Sequence, residues 1–143
     1  MEKSVFNKIT KEVFLEYGFK KEGSSYVLLL DEISIVVRFS SWRGIKYFGY
    51  NFAIHDLYDS SVPYVKRYDS LVEIKMEHTP SHWGYESHEI RYEEYDETEY
   101  RELLSNLLHR CFDRYQKDAL QSLRENNFGM ILRKEVLQYL GFE

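Results

Sequence analysis

The spacing of hydrophobic and polar residues predicts a helix near the start of the chain, over residues 4–17. Ser4 is a candidate N-cap because serine often accepts a hydrogen bond from the first helical turn. Gly18 is the residue type that ends a helix with a positive φ, and Phe19 can pack back against the last turn. One face of the predicted helix carries apolar or aromatic residues every four positions: Val5, Ile9, Val13 and Tyr17.

The middle of the chain predicts about five β-strands joined by turns and loops. Polar turn residues separate these segments, and Pro80 and Gly84 indicate a loop over residues 78–85. Short connections favour antiparallel pairing, because parallel strands need crossovers of about a dozen residues or more. Apolar or aromatic residues alternate with others, or run together, in five segments: 26–30, 33–40, 48–54, 72–76 and 88–92.

A long apolar stripe over residues 97–125 predicts one helix that begins at Asp96. Asp96 and Glu99 have the spacing of a capping box, although aspartate replaces the usual serine or threonine. A short final helix is predicted over about residues 130–140, ending at Gly141. The order of helix, strands and two further helices is typical of an α+β fold whose long helix covers one sheet face. A chain of 143 residues fits a single domain over residues 1–143.

Composition excludes several classes of protein. Hydrophobic residues are 43% and charged residues 30% of the chain, which is typical of a globular protein rather than a disordered one. The sequence has neither the apolar run of a membrane span nor that of a signal peptide, so we expect a cytoplasmic protein. Cys111 is the single cysteine, so neither an internal disulfide nor a cysteine-based zinc site is expected. Its place on the apolar stripe indicates a core residue rather than a nucleophile.

The negative charge is concentrated in one segment. The chain carries a net charge of −5, and residues 86–102 contain eight acidic residues and only two basic ones. A helix N-terminus favours Asp96, Glu97 and Glu99, but it does not explain the acids that precede it. Tyrosines between the acids are expected to be partly exposed and to supply contact area. We therefore predict a surface that binds a basic protein, formed by Glu89, Tyr92, Glu93, Glu94, Tyr95, Asp96, Glu97, Glu99 and Tyr100.

A pocket on the sheet face away from the long helix is the alternative hypothesis, and it would serve a small-molecule-binding protein or an enzyme. A third hypothesis is a self-associating scaffold. Neither a metal nor another cofactor is expected, because Thr79-Pro80 disfavours the helix that a His-x3-His metal pair requires. No catalytic residue is predicted, and the acidic charge disfavours binding to nucleic acid. The alternative pocket would be lined by Arg38, Trp42, Asn51, His55, His78, His82 and His88.

The first third of the chain resembles a known family. The segments that carry the likeness are Tyr17-Gly18-Phe19-Lys20-Lys21, Arg38-Phe39-Ser40-Ser41 and Phe48-Gly49-Tyr50-Asn51-Phe52. Over residues 1–55 the chain is similar to the uncharacterised bacterial domain-of-unknown-function 4304 family, which implies no assigned chemistry and no catalytic residues. Small acidic α+β proteins of this kind also look like bacterial immunity proteins. That likeness of class implies a toxin as the basic partner.

Overall fold

The computed structural model describes residues 1–42, 45–70, 73–77, 89–125 and 132–142, with the backbone alone at Trp42. None of the helices in these ranges is long and apolar enough to cross a membrane. The chain has the predicted α+β architecture. In chain order the described helices and strands are α1 (Lys3–Tyr17), β1 (Lys20–Glu22), β2 (Ser25–Leu29), β3 (Ile33–Trp42), β4 (Ile45–Ile54), β5 (Ile74–Lys75), β6 (Glu89–Arg91), α2 (Glu97–Lys117), α3 (Ala119–Glu125) and α4 (Lys134–Leu140).

Helix α1 ends as predicted but begins differently. Its N-cap is Glu2, which makes no capping hydrogen bond, so the prediction of Ser4 as the cap was wrong. At the other end Gly18 has a φ of 122°, a conformation that favours glycine. The amide of Phe19 donates to the carbonyl of Phe14 at 3.0 Å, the long bond of a Schellman closure. The helix end is therefore encoded locally, as the sequence indicates.

The sheet is antiparallel at every described pairing, in the order β1-β2-β3-β4-β5, and β6 pairs with the first part of β4. Strand β1 is the one described strand that was not predicted, because the polar residues Lys20–Glu22 show no alternation. It forms through a turn at Gly23, which has a φ of 59°, and Glu22 then pairs with Ser25. Tertiary pairing therefore overrides the weak local preference of this segment.

Helices α1 and α2 pack against the same face of the sheet. Phe14 of α1 stacks on Tyr26 of β2, with ring centroids 4.5 Å apart. Phe112 of α2 meets Tyr50 of β4 edge-on at 5.1 Å and also contacts Phe19 at 5.5 Å. These rings belong to one buried cluster that joins both helices to the strands, as predicted for the long helix.

The predicted single helix over residues 97–125 was wrong, because the chain breaks at Asp118. This residue has extended backbone angles, with φ −151° and ψ 98°. Its Oδ1 accepts the amide proton of Gln121 at 3.1 Å, so it caps the helix that follows. Leu120 and Leu123 after the break remain buried. The apolar stripe therefore continues across the break, which is why its period gave no sign of the interruption.

Candidate functional site

The predicted acidic segment forms an exposed rim at the start of α2. Residues Tyr92–Glu94 make a 3-10 turn, and Asp96 caps α2. Five carboxylates lie within the seven positions from the turn to the first turn of α2. All five side chains are exposed, whereas Glu89 is half-buried and lies 3.5 Å from the guanidinium of Arg91. We call the exposed set the acidic ridge; it consists of Glu93, Glu94, Asp96, Glu97 and Glu99.

The tyrosines of this segment are core residues, which corrects the prediction that they are partly exposed. Tyr100 has no exposed surface, and Tyr95 and Tyr92 are only 6% and 9% exposed. Phe6 of α1 explains their burial, because its ring lies 4.7 Å from Tyr100 and 5.0 Å from Tyr92. They cannot provide contact area to a partner. Instead they anchor the backbone from which the carboxylates of the acidic ridge project.

Two sets of hydrogen bonds fix the acidic ridge. The amino group of Met1 donates to the carbonyl oxygens of Tyr92 and Tyr95 at 3.3 and 3.0 Å. Asp96 Oδ1 accepts the amide proton of Glu99 at 2.8 Å, as the capping spacing predicted. This hydrogen bond holds the pKa of Asp96 below its usual value, so the cap is ionised at neutral pH.

Arg101, the cation nearest in sequence after the ridge, is turned toward α1. Its guanidinium forms an ion pair with Glu12 and lies 3.7 Å from Oε1 of Glu16. Hydrogen bonding to Glu12 raises the pKa of Arg101 further. Arg101 therefore serves the contact between α1 and α2, and its charge also interacts with that of Glu97 in the acidic ridge.

The sheet face proposed for the alternative pocket is covered by residues 55–70. Arg38 donates to Asn51 Oδ1 at 2.9 Å and to the carbonyl of Val65 in the covering segment. Asn51 in turn donates to Ser70 Oγ at 2.7 Å, and Val36 on the same face is fully buried. The chain itself thus satisfies the polar groups of Arg38 and Asn51, two of the residues that were expected to receive a ligand.

The predicted pocket residues also do not converge. Arg38 pairs with Gly49, whereas Ile33 pairs with Ile54, the residue before His55. His55 therefore lies about six residues from Arg38 along the hairpin, or roughly 20 Å. Its Nδ1 lies 3.3 Å from the carbonyl oxygen of Asp31. The remaining predicted members are Trp42, His78, His82 and His88. The three histidines lie outside the described residues, and only the backbone of Trp42 is described.

Sequence reasoning missed a cleft between α1 and α2. Its volume is about 430 Å³, and its lining includes Tyr17, His109 and Asp113. His109 and Asp113 are spaced i, i+4 on α2, a signal that the sequence does contain. Tyr17 comes from α1, and only the packing of the two helices brings it to this pair. Among the described residues, no group of three or more His, Cys, Asp or Glu side chains is placed to hold a metal ion.

Comparison with known proteins adds no relative to this picture. No protein-family model, curated protein or solved structure matches the chain. The resemblance to the domain-of-unknown-function 4304 family therefore stays a prediction.

Proposed function

We propose that this protein is a non-enzymatic binding domain whose acidic ridge covers a basic surface on a partner protein. The observation that carries the proposal is the exposure of Glu93 and Glu94 in a turn that is anchored by buried tyrosines. These two acids precede helix α2. Helix capping and the helix dipole therefore do not account for them, as they do for Asp96, Glu97 and Glu99.

The rigidity of the ridge supports this function. Its backbone is held by hydrogen bonds from Met1 and to the Asp96 cap before a partner arrives, so binding does not have to order it. Five like charges within seven positions create a local field that attracts a basic surface and speeds association by about 10–1,000-fold at low salt. Salt screens such a field, because the Debye length is only about 8 Å at physiological ionic strength.

More specifically, we propose an immunity-type protein whose partner is a secreted toxin. A toxin that acts on nucleic acid presents a basic surface, and an acidic cover would compete with its phosphate contacts. The net charge of −5 supports this assignment. The tyrosines no longer contribute to the proposal, because they are buried.

The test compares two variants of equal charge in a pull-down from lysate of the native cell, at about 50 and 500 mM salt. The ridge variant carries Glu93→Gln, Glu94→Gln and Glu97→Gln, which leave the Asp96 cap intact. The control variant carries Glu32→Gln, Glu77→Gln and Glu135→Gln at other exposed positions.

We expect the wild type and the control variant to retain the same basic protein at low salt and to release it at high salt. The ridge variant should retain much less of it at low salt. Equal retention by the ridge and control variants would show that net charge, and not the acidic ridge, attracts the partner. That result would refute the proposed function.

A further inference from the structure

The cleft between α1 and α2, called here the helix cleft, has the form of a small binding pocket. Its volume of about 430 Å³ lies within the range of about 300–1,000 Å³ that is typical of ligand pockets. Val13 and Leu108 are buried and give it an apolar floor, whereas Glu16 and Asp113 are exposed. Among the described residues that line the cleft, two are carboxylates and none is lysine or arginine, and Arg101 beside the cleft lies 3.7 Å from Oε1 of Glu16.

Asp113 is held in one position by groups from both helices. The Tyr17 hydroxyl donates to Asp113 Oδ1 at 2.8 Å, and His109 Nδ1 lies 2.9 and 3.0 Å from the two carboxylate oxygens. The hydrogen bond from Tyr17, with a smaller contribution from His109, keeps the pKa of Asp113 below its usual value. The cleft therefore presents a fixed anion at neutral pH.

The aromatic wall adds to this anionic character. Tyr17 meets the ring of His109 edge-on, with centroids 5.1 Å apart, and both rings line the cleft. An aromatic face attracts a cation that lies within about 6 Å of its centroid. Carboxylates beside an aromatic ring are together the chemistry that receives a cationic side chain.

We propose that the helix cleft binds an arginine side chain of the basic partner. The guanidinium contacts Asp113 and Glu16, and the aliphatic stem lies against the half-buried ring of Tyr17. Arginine fits better than lysine because its planar fork donates two parallel hydrogen bonds to a carboxylate and stacks on aromatic rings. This inference rests on the proposed function, since it names the side chain by which the same partner is anchored.

The position of the cleft is consistent with one partner that reaches both sites. The acidic ridge ends at Glu99 and the cleft reaches Asp113 on the same helix. Fourteen residues of helix separate them, or about 21 Å at 1.5 Å per residue. An interface of ordinary size, with about 800 Å² buried on each partner, spans that distance. The ridge would steer the encounter, and the arginine would provide a buried anchor.

The test uses small probes, so that it does not depend on the partner. N-acetyl-arginine methylamide is titrated into the ¹⁵N-labelled full chain, and amide shifts are recorded by NMR. N-acetyl-citrulline methylamide is the matched control, because it has nearly the same shape without the charge. The protein variants are Asp113→Asn, Glu16→Gln and the control Glu135→Gln, whose site lies on helix α4 away from the cleft.

We expect saturable shifts for the arginine probe within residues 13–17 and 105–116, and much smaller ones for citrulline. Asp113→Asn and Glu16→Gln should each weaken binding at least tenfold, whereas Glu135→Gln and the ridge variant should bind as the wild type does. If Asp113→Asn is unfolded by circular dichroism, Glu16→Gln alone decides. Equal shifts for both probes, or shifts centred elsewhere, would overturn the inference.

The pull-down separates this inference from the proposed function. Retention of a basic partner without probe binding in the cleft would overturn the arginine site and leave the ridge in place. Probe binding in the cleft with equal retention by the ridge and control variants would refute the function of the ridge and support the arginine site.

Discussion

The contact between the hydroxyls of Thr10 and Tyr100 gives a prediction with a defined direction. The two oxygen atoms are 2.6 Å apart and buried between α1 and α2. Thr10 donates its single hydroxyl proton to the carbonyl of Phe6 at 2.7 Å. Tyr100 must therefore be the donor to Thr10. Because Tyr100 is the donor and Thr10 the acceptor, replacing one should not cost the same free energy of unfolding as replacing the other.

Tyr100→Phe removes a donor but leaves intact the hydrogen bond from the Thr10 hydroxyl to the carbonyl of Phe6. We expect a loss of about 1 kcal/mol in the free energy of unfolding, the net value of one hydrogen bond. Thr10→Val removes the acceptor instead and leaves the hydroxyl of Tyr100 without a partner where the side chain is fully buried. An unsatisfied buried group costs about 1–3 kcal/mol, so Thr10→Val should be the more damaging change.

The double variant Thr10→Val/Tyr100→Phe should be no less stable than Thr10→Val alone, because the second change removes the unpaired hydroxyl. The assay is urea unfolding of the four proteins by far-UV circular dichroism, with unchanged m-values as the check on two-state behaviour. Additive losses, or a larger loss for Tyr100→Phe than for Thr10→Val, would refute this assignment of donor and acceptor. Because Tyr100 is buried, Tyr100→Phe should retain the basic partner as the wild type does.

Two further predictions concern ionisable groups. Burial raises the pKa of the Cys111 thiol to about 11, so its alkylation by iodoacetamide at pH 8 should be about two orders of magnitude slower than in urea; equal rates would contradict this. The hydrogen bond from the Glu99 amide lowers the pKa of Asp96 in the folded state, so the ionised carboxylate stabilises the fold at neutral pH. This contribution is lost as the pH falls through the lowered pKa of Asp96. The stability difference between wild type and Asp96→Asn in urea should therefore be larger at pH 7 than at pH 2.5, and the same difference at both pH values would argue against this role of Asp96.

Local patterns in the sequence were sufficient to place most of the helices and strands. The four-residue spacing from Val5 to Tyr17 and the alternation in β3 and β4 each report which side of a segment turns inward. Gly18 and the Asp96 cap act within a few residues of the chain, so their roles were also readable. Antiparallel pairing followed from the short connections.

The sequence misled where burial depends on a distant segment. The acids of the ridge are exposed as expected, but Tyr92, Tyr95 and Tyr100 are covered because Phe6 and the amino terminus of Met1 pack against the same turn. Tyrosine is equally at home in a core and at a surface, so its identity alone does not distinguish the two. The cover over Arg38 by residues 55–70 is likewise a long-range contact with no local signature.

The sequence by itself thus determined most of the secondary structure elements, the α+β class and the place of the negative charge. Tertiary structure alone decided which aromatic residues are buried, which sheet face is closed and that Tyr17 meets His109 and Asp113 in a cleft. The physical reason is the range of the interactions. Periodicity and capping act over a few neighbouring residues, whereas a binding site is made by side chains that only packing brings together.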